Sequence, residues 1–312
     1  MPTLAAYLIV VAVWATTPLG IKWSGEAMAP LAAAGVRMGI AALLGLVWLW
    51  CKRQPLPLHR RARLSYLAAL PGIFGAMGCS YMAASHLPSG LISVIFGLAP
   101  LLSGLMMQWL PGSIRLNGWH WSACLVGLAG LALVFDESLV ALFAGGGLGE
   151  RGVGLLWMVS AVTLFAAGGI AVQRVGAGLR PMQQTVGGLL LSLPCYGVAM
   201  VLAGQSFAWN GDVRGLSAIV YLAVFGSLLG FYCYFQILSR LSAATVALVT
   251  LITPVLALML GSLFNNESLG AMVLAGALLI VLALSLFLLG DHRVRRQLKD
   301  MPSARPVVEE AS

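Results

Sequence analysis

Ten apolar stretches occupy most of this 312-residue chain, each near the ~20 residues that an α-helix rising 1.5 Å per residue needs to cross hydrocarbon. They run from Leu4 to Ile21, Pro30 to Trp50, Leu64 to Ser85, Ser89 to Leu110, Trp119 to Phe135, Gly152 to Val172, Met182 to Ala203, Leu216 to Leu238, Ser242 to Phe264 and Ser268 to Gly290. Hydrocarbon offers no water to peptide groups, so each stretch must satisfy its own backbone as a helix. The fold class expected is an all-α membrane protein with ten transmembrane helices. Only 9% of residues are charged and 60% are hydrophobic, against roughly 25% charged in soluble domains, which excludes a water-soluble globule. The remaining third of the chain is too short for a separate soluble domain. Function must reside among the helices, with the bilayer and a small-molecule substrate as partners.

The net charge of +8 would suggest nucleic acid in a soluble protein. Here its placement matters instead, because Lys and Arg in short loops set orientation. With a cytoplasmic N-terminus, the inner loops and tail hold 14 of the 18 basic residues, including Lys52, Arg53, Arg60, Arg61, Arg63, Arg174, Arg180 and Arg240. The outer loops hold Lys22, Arg151 and Arg214, and Arg37 lies within a stretch. Both termini are therefore expected in the cytoplasm, and no nucleic-acid partner is expected. The apolar run at Leu4 has no basic residue before it and no small-residue cleavage site after it, so it reads as a retained first helix. The five cysteines form no disulfide framework or metal spacing.

A shift of 154 places Pro100 on Pro254, Gly72 on Gly226 and Cys79 on Cys233. A shift of 151 places Pro30 on Pro181, Trp14 on Phe165, and Thr17-Pro18 on Gly168-Gly169. Two shifts three residues apart describe one five-helix unit duplicated with small loop changes. Five is odd, so the two halves should be inverted, a common design of secondary transporters, in which helix interruptions at matched positions point to the binding site. Thr17-Pro18 and Gly168-Gly169 are the expected interruptions. Gly147-x-Gly149-x-x-Gly152 matches the dinucleotide fingerprint formally, but no strand precedes it; a linker between halves accounts for the glycines.

These features together (two five-helix repeats, Trp14-Ala-Thr-Thr-Pro18 in the first helix, Arg37 in the second, matched Pro100 and Pro254) resemble the EamA-like family of the drug/metabolite transporter superfamily. The resemblance covers about Leu4 to Gly290 and implies export or facilitated passage of small metabolites, often amino acids, through a central cavity in the bacterial inner membrane by alternating access. It implies a first EamA-like repeat over 1–143, a Gly-rich linker over 144–151 and a second repeat over 152–290. Residues 291–312, polar and holding Pro302 and Pro306, are expected to be a disordered cytoplasmic tail.

Arg37 is the one charged residue well inside a stretch, and an intramembrane charge, costing at least ~2.5 kcal/mol, is a functional candidate by default. Two readings stand: it binds a substrate anion, or it is structural, snorkelling outward or bonding backbone carbonyls freed near Pro18, while the flanking Gly35-x-x-x-Gly39 suits close helix packing that would point it into the bundle. The eighth stretch offers Tyr232, Tyr234 and Gln236, of which Tyr232 and Gln236 share one helix face. With Ser80, Tyr81 and Thr250 they either line a watery cavity or bond between helices. Trp14, Thr17, Pro18 and Phe165, beside the expected interruptions, complete the candidate cavity. Pro100, Pro254, Gly168 and Gly169 are candidate hinges.

Enzymatic readings fail on residue types. His59, His86, His120 and His292 are isolated, so no H-E-x-x-H zinc site can form. All ten carboxylates fall in loops, stretch edges or the tail, leaving none within the spans to hold Mg²⁺. No metal and no cofactor is expected. The absence of a mid-membrane carboxylate also disfavours proton exchange for a cationic drug. The function expected is secondary transport of small polar metabolites, amino acids or related compounds, by facilitated flux or exchange. The rivals are a multidrug or nucleotide-sugar carrier of the same superfamily and a non-transporting membrane scaffold.

Overall fold

The structure, a computed structural model, describes residues 2–110, 116–134, 149–239, 249–266 and 270–300. Within 249–252 and 291–300 the description is of helical backbone alone. Among these residues ten helices follow one another: α1 Thr3–Ala27, α2 Pro30–Cys51, α3 Arg60–Ala84, α4 Ser89–Gln108, α5 Gly118–Val134, α6 Gly149–Val175, α7 Pro181–Leu202, α8 Val213–Leu238, α9 Val249–Asn265 and α10 Ala271–Asp300. Eight of them are long and apolar enough to cross a membrane, and α5 and α9 are shorter. The chain is an all-helical membrane protein.

Local signals place the ends. Pro30 and Pro181 occupy the first turns of α2 and α7, where a missing N–H costs nothing. The Asp212 carboxylate caps α8 by accepting from the backbone N–H groups of Arg214 at 3.0 Å and Gly215 at 2.9 Å. His59 Nδ1 accepts from Ala62 N at the start of α3.

Three elements depart from expectation. First, α1 runs through Pro18 and α6 through Gly168-Gly169 without a break, so neither pair interrupts its helix. The Thr16 and Thr17 hydroxyls both donate to the Val13 carbonyl at 2.8 Å, serving backbone acceptors near the proline. Gly168 and Gly169 are instead places of close approach: a Cβ at Gly168 would lie 2.8 Å from the Gly72 backbone nitrogen, and one at Gly169 would lie 2.7 Å from the Tyr234 hydroxyl. Second, irregularity falls elsewhere. Pro71–Ala76 within α3 and Leu222–Leu229 within α8 are π-helical, and these segments overlap under the 154-residue shift. Helix α4 is divided into Ser89–Phe96 and Ala99–Gln108, with Pro100 in the first turn of the second piece, whereas α9 continues through Pro254. Third, α10 carries on to Asp300, so the first ten residues of the expected disordered tail are helical. Leu, Gln, Lys and Arg are good helix formers and no glycine or proline intervenes before Pro302. Similarly, α6 starts at Gly149, taking in the end of the expected linker; 144–148 and 301–312 lie outside the described residues.

The packing pairs the two halves. Helix α2 lies on α7 and α5 on α10; α1 lies against α8 and α9, and α6 against α3 and α4. Close contacts give directions. A Cβ at Gly45 would be 2.5 Å from Val186 Cγ2, and one at Gly35 would be 3.4 Å from Tyr196 Cβ, so α2 and α7 run antiparallel. In the same way Gly130 meets the Gly276 carbonyl (2.8 Å) while Gly290 meets Trp119 Cβ (2.9 Å), making α5 and α10 antiparallel. Small residues at these crossings let backbones touch, which is where helix association gains dispersion energy when hydrophobic exclusion from water is absent.

Candidate functional site

A cavity of ≈ 60 Å³ lies where the two halves meet. Its polar lining consists of Thr17 from α1, Arg37 from α2, Ser93 from α4 and Thr253 from α9. Apolar walls come from both halves, chiefly Trp14, Phe96, Phe165 and Phe231. The volume is far below the ~300–1,000 Å³ of pockets that hold drug-sized ligands, and suffices for a few waters. The structure is therefore a closed form of the site.

Arg37 is 1% exposed. Its Nε donates to Ser227 Oγ at 2.7 Å, and its guanidinium carbon sits 5.9 Å from the centre of the Tyr81 ring. Its Nη1 is buried without a hydrogen-bond partner. Gly226 makes room for the charge, since a Cβ there would lie 2.9 Å from Nη2. A buried guanidinium holding an unused donor is costly unless an acceptor arrives. Snorkelling is excluded by its burial, and the partner at Nε is a side-chain hydroxyl rather than a freed carbonyl. Tyr81 is itself held in place, its hydroxyl accepting from Ser24 Oγ at 3.2 Å.

The aromatic wall is a single cluster. Trp14 and Phe165 meet edge to face, with centroids 5.6 Å apart. Tyr234 packs on both, at 5.4 and 5.3 Å, and Phe96 meets Phe165 at 5.8 Å. Edge-to-face rings of this kind are favourable beyond their buried area.

Of the residues singled out from the sequence, Trp14, Thr17, Pro18, Arg37 and Phe165 line this cavity, and Tyr81 abuts Arg37. Ser80 is buried, donating to the Ala76 carbonyl at 2.6 Å. Tyr232 packs with Leu49, Met182 and Val186, between α2 and α7. Gln236, buried on the same face of α8, is also absent from the lining. Thr250 lies in the first turn of α9, its side chain outside the described residues. Tyr234 instead sits in the aromatic cluster against Trp14 and Phe165, while Ser93, Phe96, Gly226, Ser227, Phe231 and Thr253 are sites the sequence reading does not single out. Two sequence signals pointed towards some of them: Ser227 follows the repeat-matched Gly226, and Thr253 precedes the repeat-matched Pro254.

Among the described residues, apolar helices from both halves surround a cavity holding one buried cation, an arrangement suited to a polytopic membrane transporter. The chain belongs to the EamA-like transporter family, whose model matches residues 1–136 and 152–289. It is 26% identical over 317 residues to the "Uncharacterized inner membrane transporter YedA" of Escherichia coli strain K12, covering 100% of this chain and 97% of that protein. The "Uncharacterized transporter YvbV" of Bacillus subtilis is 26% identical, covering 86% of this chain and 87% of its own length. The "WAT1-related protein At3g02690, chloroplastic" of Arabidopsis thaliana is 27% identical, with 88% of this chain and 66% of that protein covered. A protein crystal structure superposes with a TM-score of 0.65 at 20% identity, covering 91% of this chain and 98% of the other, a likeness of fold.

Proposed function

We propose that this protein is a secondary transporter of small anionic or zwitterionic metabolites with an apolar body, amino acids or related compounds, working by alternating access at the central cavity. The observation that carries the reading is Arg37: a buried cation with an unspent donor, facing a cavity whose other walls are aromatic and hydroxyl-bearing. A carboxylate would pair with the guanidinium and an apolar side chain would lie against Trp14 and Phe165. A bare lipophilic cation would meet repulsion at the same place.

The halves are read as inverted repeats. Support comes from the antiparallel run of the matched helices α2 and α7 and of α5 and α10. Trp14 and Phe165 occupy matched positions and touch, as residues beside a two-fold axis do. Inverted repeats around one midplane site are what rocking between two faces requires. The relative YedA is described as an inner membrane transporter, and the basic residues of this chain cluster in the loops expected inside. Both termini are accordingly assigned to the cytoplasm of a bacterial inner membrane. A fluorescent reporter fused after Ser312 that folds only in the cytoplasm should be bright, and a dark fusion at normal expression would reverse the orientation.

Energy coupling follows from charge. Among the described residues the carboxylates of Glu26, Glu150 and Asp212 stand at helix ends, so no acidic proton relay reaches the cavity from them. Purified protein in liposomes should move a suitable amino acid down its own gradient with no pH gradient, and show counterflow. The flux panel should cover acidic, neutral, aromatic and basic amino acids alongside a lipophilic cation. Transport of the cation alone would overturn the proposed substrate class.

A further inference from the structure

The end of the bundle where α1 finishes is tied by a side-chain cluster that spans both halves. Trp23, on α1, donates from Nε1 to Asn265 Oδ1 on α9 at 3.2 Å. Arg214, at the start of α8, donates from Nη2 to the same oxygen at 3.4 Å and places its guanidinium carbon 4.0 Å from the centre of the Trp23 ring. One amide oxygen thus gathers three helices, and a cation–π contact closes the triangle. Nearby, Asn210 holds the last carbonyls of α1, its Nδ2 donating to Glu26 O at 2.7 Å and its N–H to Ala27 O at 3.2 Å. Lys22 Nζ donates to Ala84 O at 2.8 Å and Leu87 O at 3.3 Å, tying α1 to the α3–α4 turn.

The repeat permits a comparison with the opposite end. Under the 151-residue shift Trp23 corresponds to Arg174, and under the 154-residue shift Arg214 corresponds to Arg60. The packing registers agree: Gly20 meets Leu222 where α1 crosses α8, and Gly168 meets Gly72 and Ala68 where α6 crosses α3. The places that hold a ring and a cation at one end hold two cations at the other. That end is tied by different chemistry, Gln184 of α7 accepting from Ser65 Oγ at 2.6 Å and donating to Ser65 O at 3.0 Å, and Gln183 Nε2 donating to Pro55 O at 2.9 Å.

We propose that Trp23, Arg214 and Asn265 form a latch that keeps the α1-terminal end of the cavity shut. By the orientation assigned above, the latched end is the outer one. The inference uses the repeat and the cavity of the transport reading, but its test needs no substrate, so the two can fail separately.

The test is labelling of a cavity cysteine. In a chain with its five native cysteines replaced, Thr17→Cys is exposed to a membrane-impermeant maleimide from the latched face. Trp23→Ala and Arg214→Ala, each checked for monodisperse elution, should raise the labelling rate about threefold or more. Arg214→Gln, which keeps a hydrogen-bonding group but removes the cation over the Trp23 ring, should also raise the rate and serves if the alanine variants do not fold. Unchanged rates in Trp23→Ala and Arg214→Ala would overturn the latch.

Discussion

Arg37→Met is expected to lower flux of a carboxylate-bearing substrate at least tenfold while leaving the protein as stable as before, or more so. The two effects have opposite signs because they come from different states. In the closed form Arg37 has one good bond, to Ser227, and an unpartnered buried Nη1. Methionine is apolar and flexible enough to take over much of the space, and replacing a buried charge with apolar volume is often neutral or stabilising. With substrate bound, the lost charge-assisted bond is worth about 1.5–3 kcal/mol, which is a tenfold to hundredfold change in affinity. Arg37→Lys keeps the charge but not the planar fork that reaches Ser227 and a carboxylate together, and should fall between. Thermal unfolding in detergent beside counterflow in liposomes reads both quantities. A variant that unfolds early, with flux falling only in proportion to folded protein, would make Arg37 a structural residue.

A large loss of stability is expected at Gly168. A Cβ there would meet the Gly72 nitrogen at 2.8 Å, the Gly72 Cα at 3.3 Å and the Ala68 carbonyl oxygen at 3.6 Å. All three are backbone atoms, which cannot swing aside as a side chain can. Gly168→Val must therefore push α6 off α3, and should cost on the order of 3 kcal/mol. Gly25→Val, at a position with nothing within 4 Å of its Cβ site, is the control and should shift stability only through helix propensity, a gain of a few tenths of a kcal/mol. Equal melting temperatures for the two variants would remove the close α6–α3 contact from the account.

Gly168 also illustrates what the sequence conveys and what it conceals. Length and hydropathy reveal each helix because hydrocarbon imposes both on any spanning segment. The repeat is visible because prolines and glycines survive in register. The reason for a glycine is not visible: Gly168-Gly169 fits a helix break and a tight crossing equally well, and only the position of Gly72 decides between them. The π-helical segments of α3 and α8 leave no mark, being set by how each helix must shift to meet its neighbours. Tyr232 and Gln236 were grouped by sound helix geometry, yet Tyr234, two residues from each, is the one that meets Trp14 and Phe165. Two residues turn a helix by about 200°. In a helix that is apolar all round, periodicity cannot say which face looks inward.

The described lining of the cavity comes from α1, α2, α3, α4, α6, α8 and α9, and none of it from α5 or α10. Those two helices lie chiefly against each other, each bounded by exposed leucines such as Leu125, Leu128, Leu274, Leu278 and Leu282. Natural variation should consequently run on two clocks. Substitutions on the α5–α10 pair answer to the lipid in which the protein lives, and can follow a change of host membrane or growth temperature without retuning what is carried. Substitutions around Arg37 answer to cargo. A lineage could adapt to a new bilayer and keep its solute, or change solute and keep its bilayer, by separate mutations.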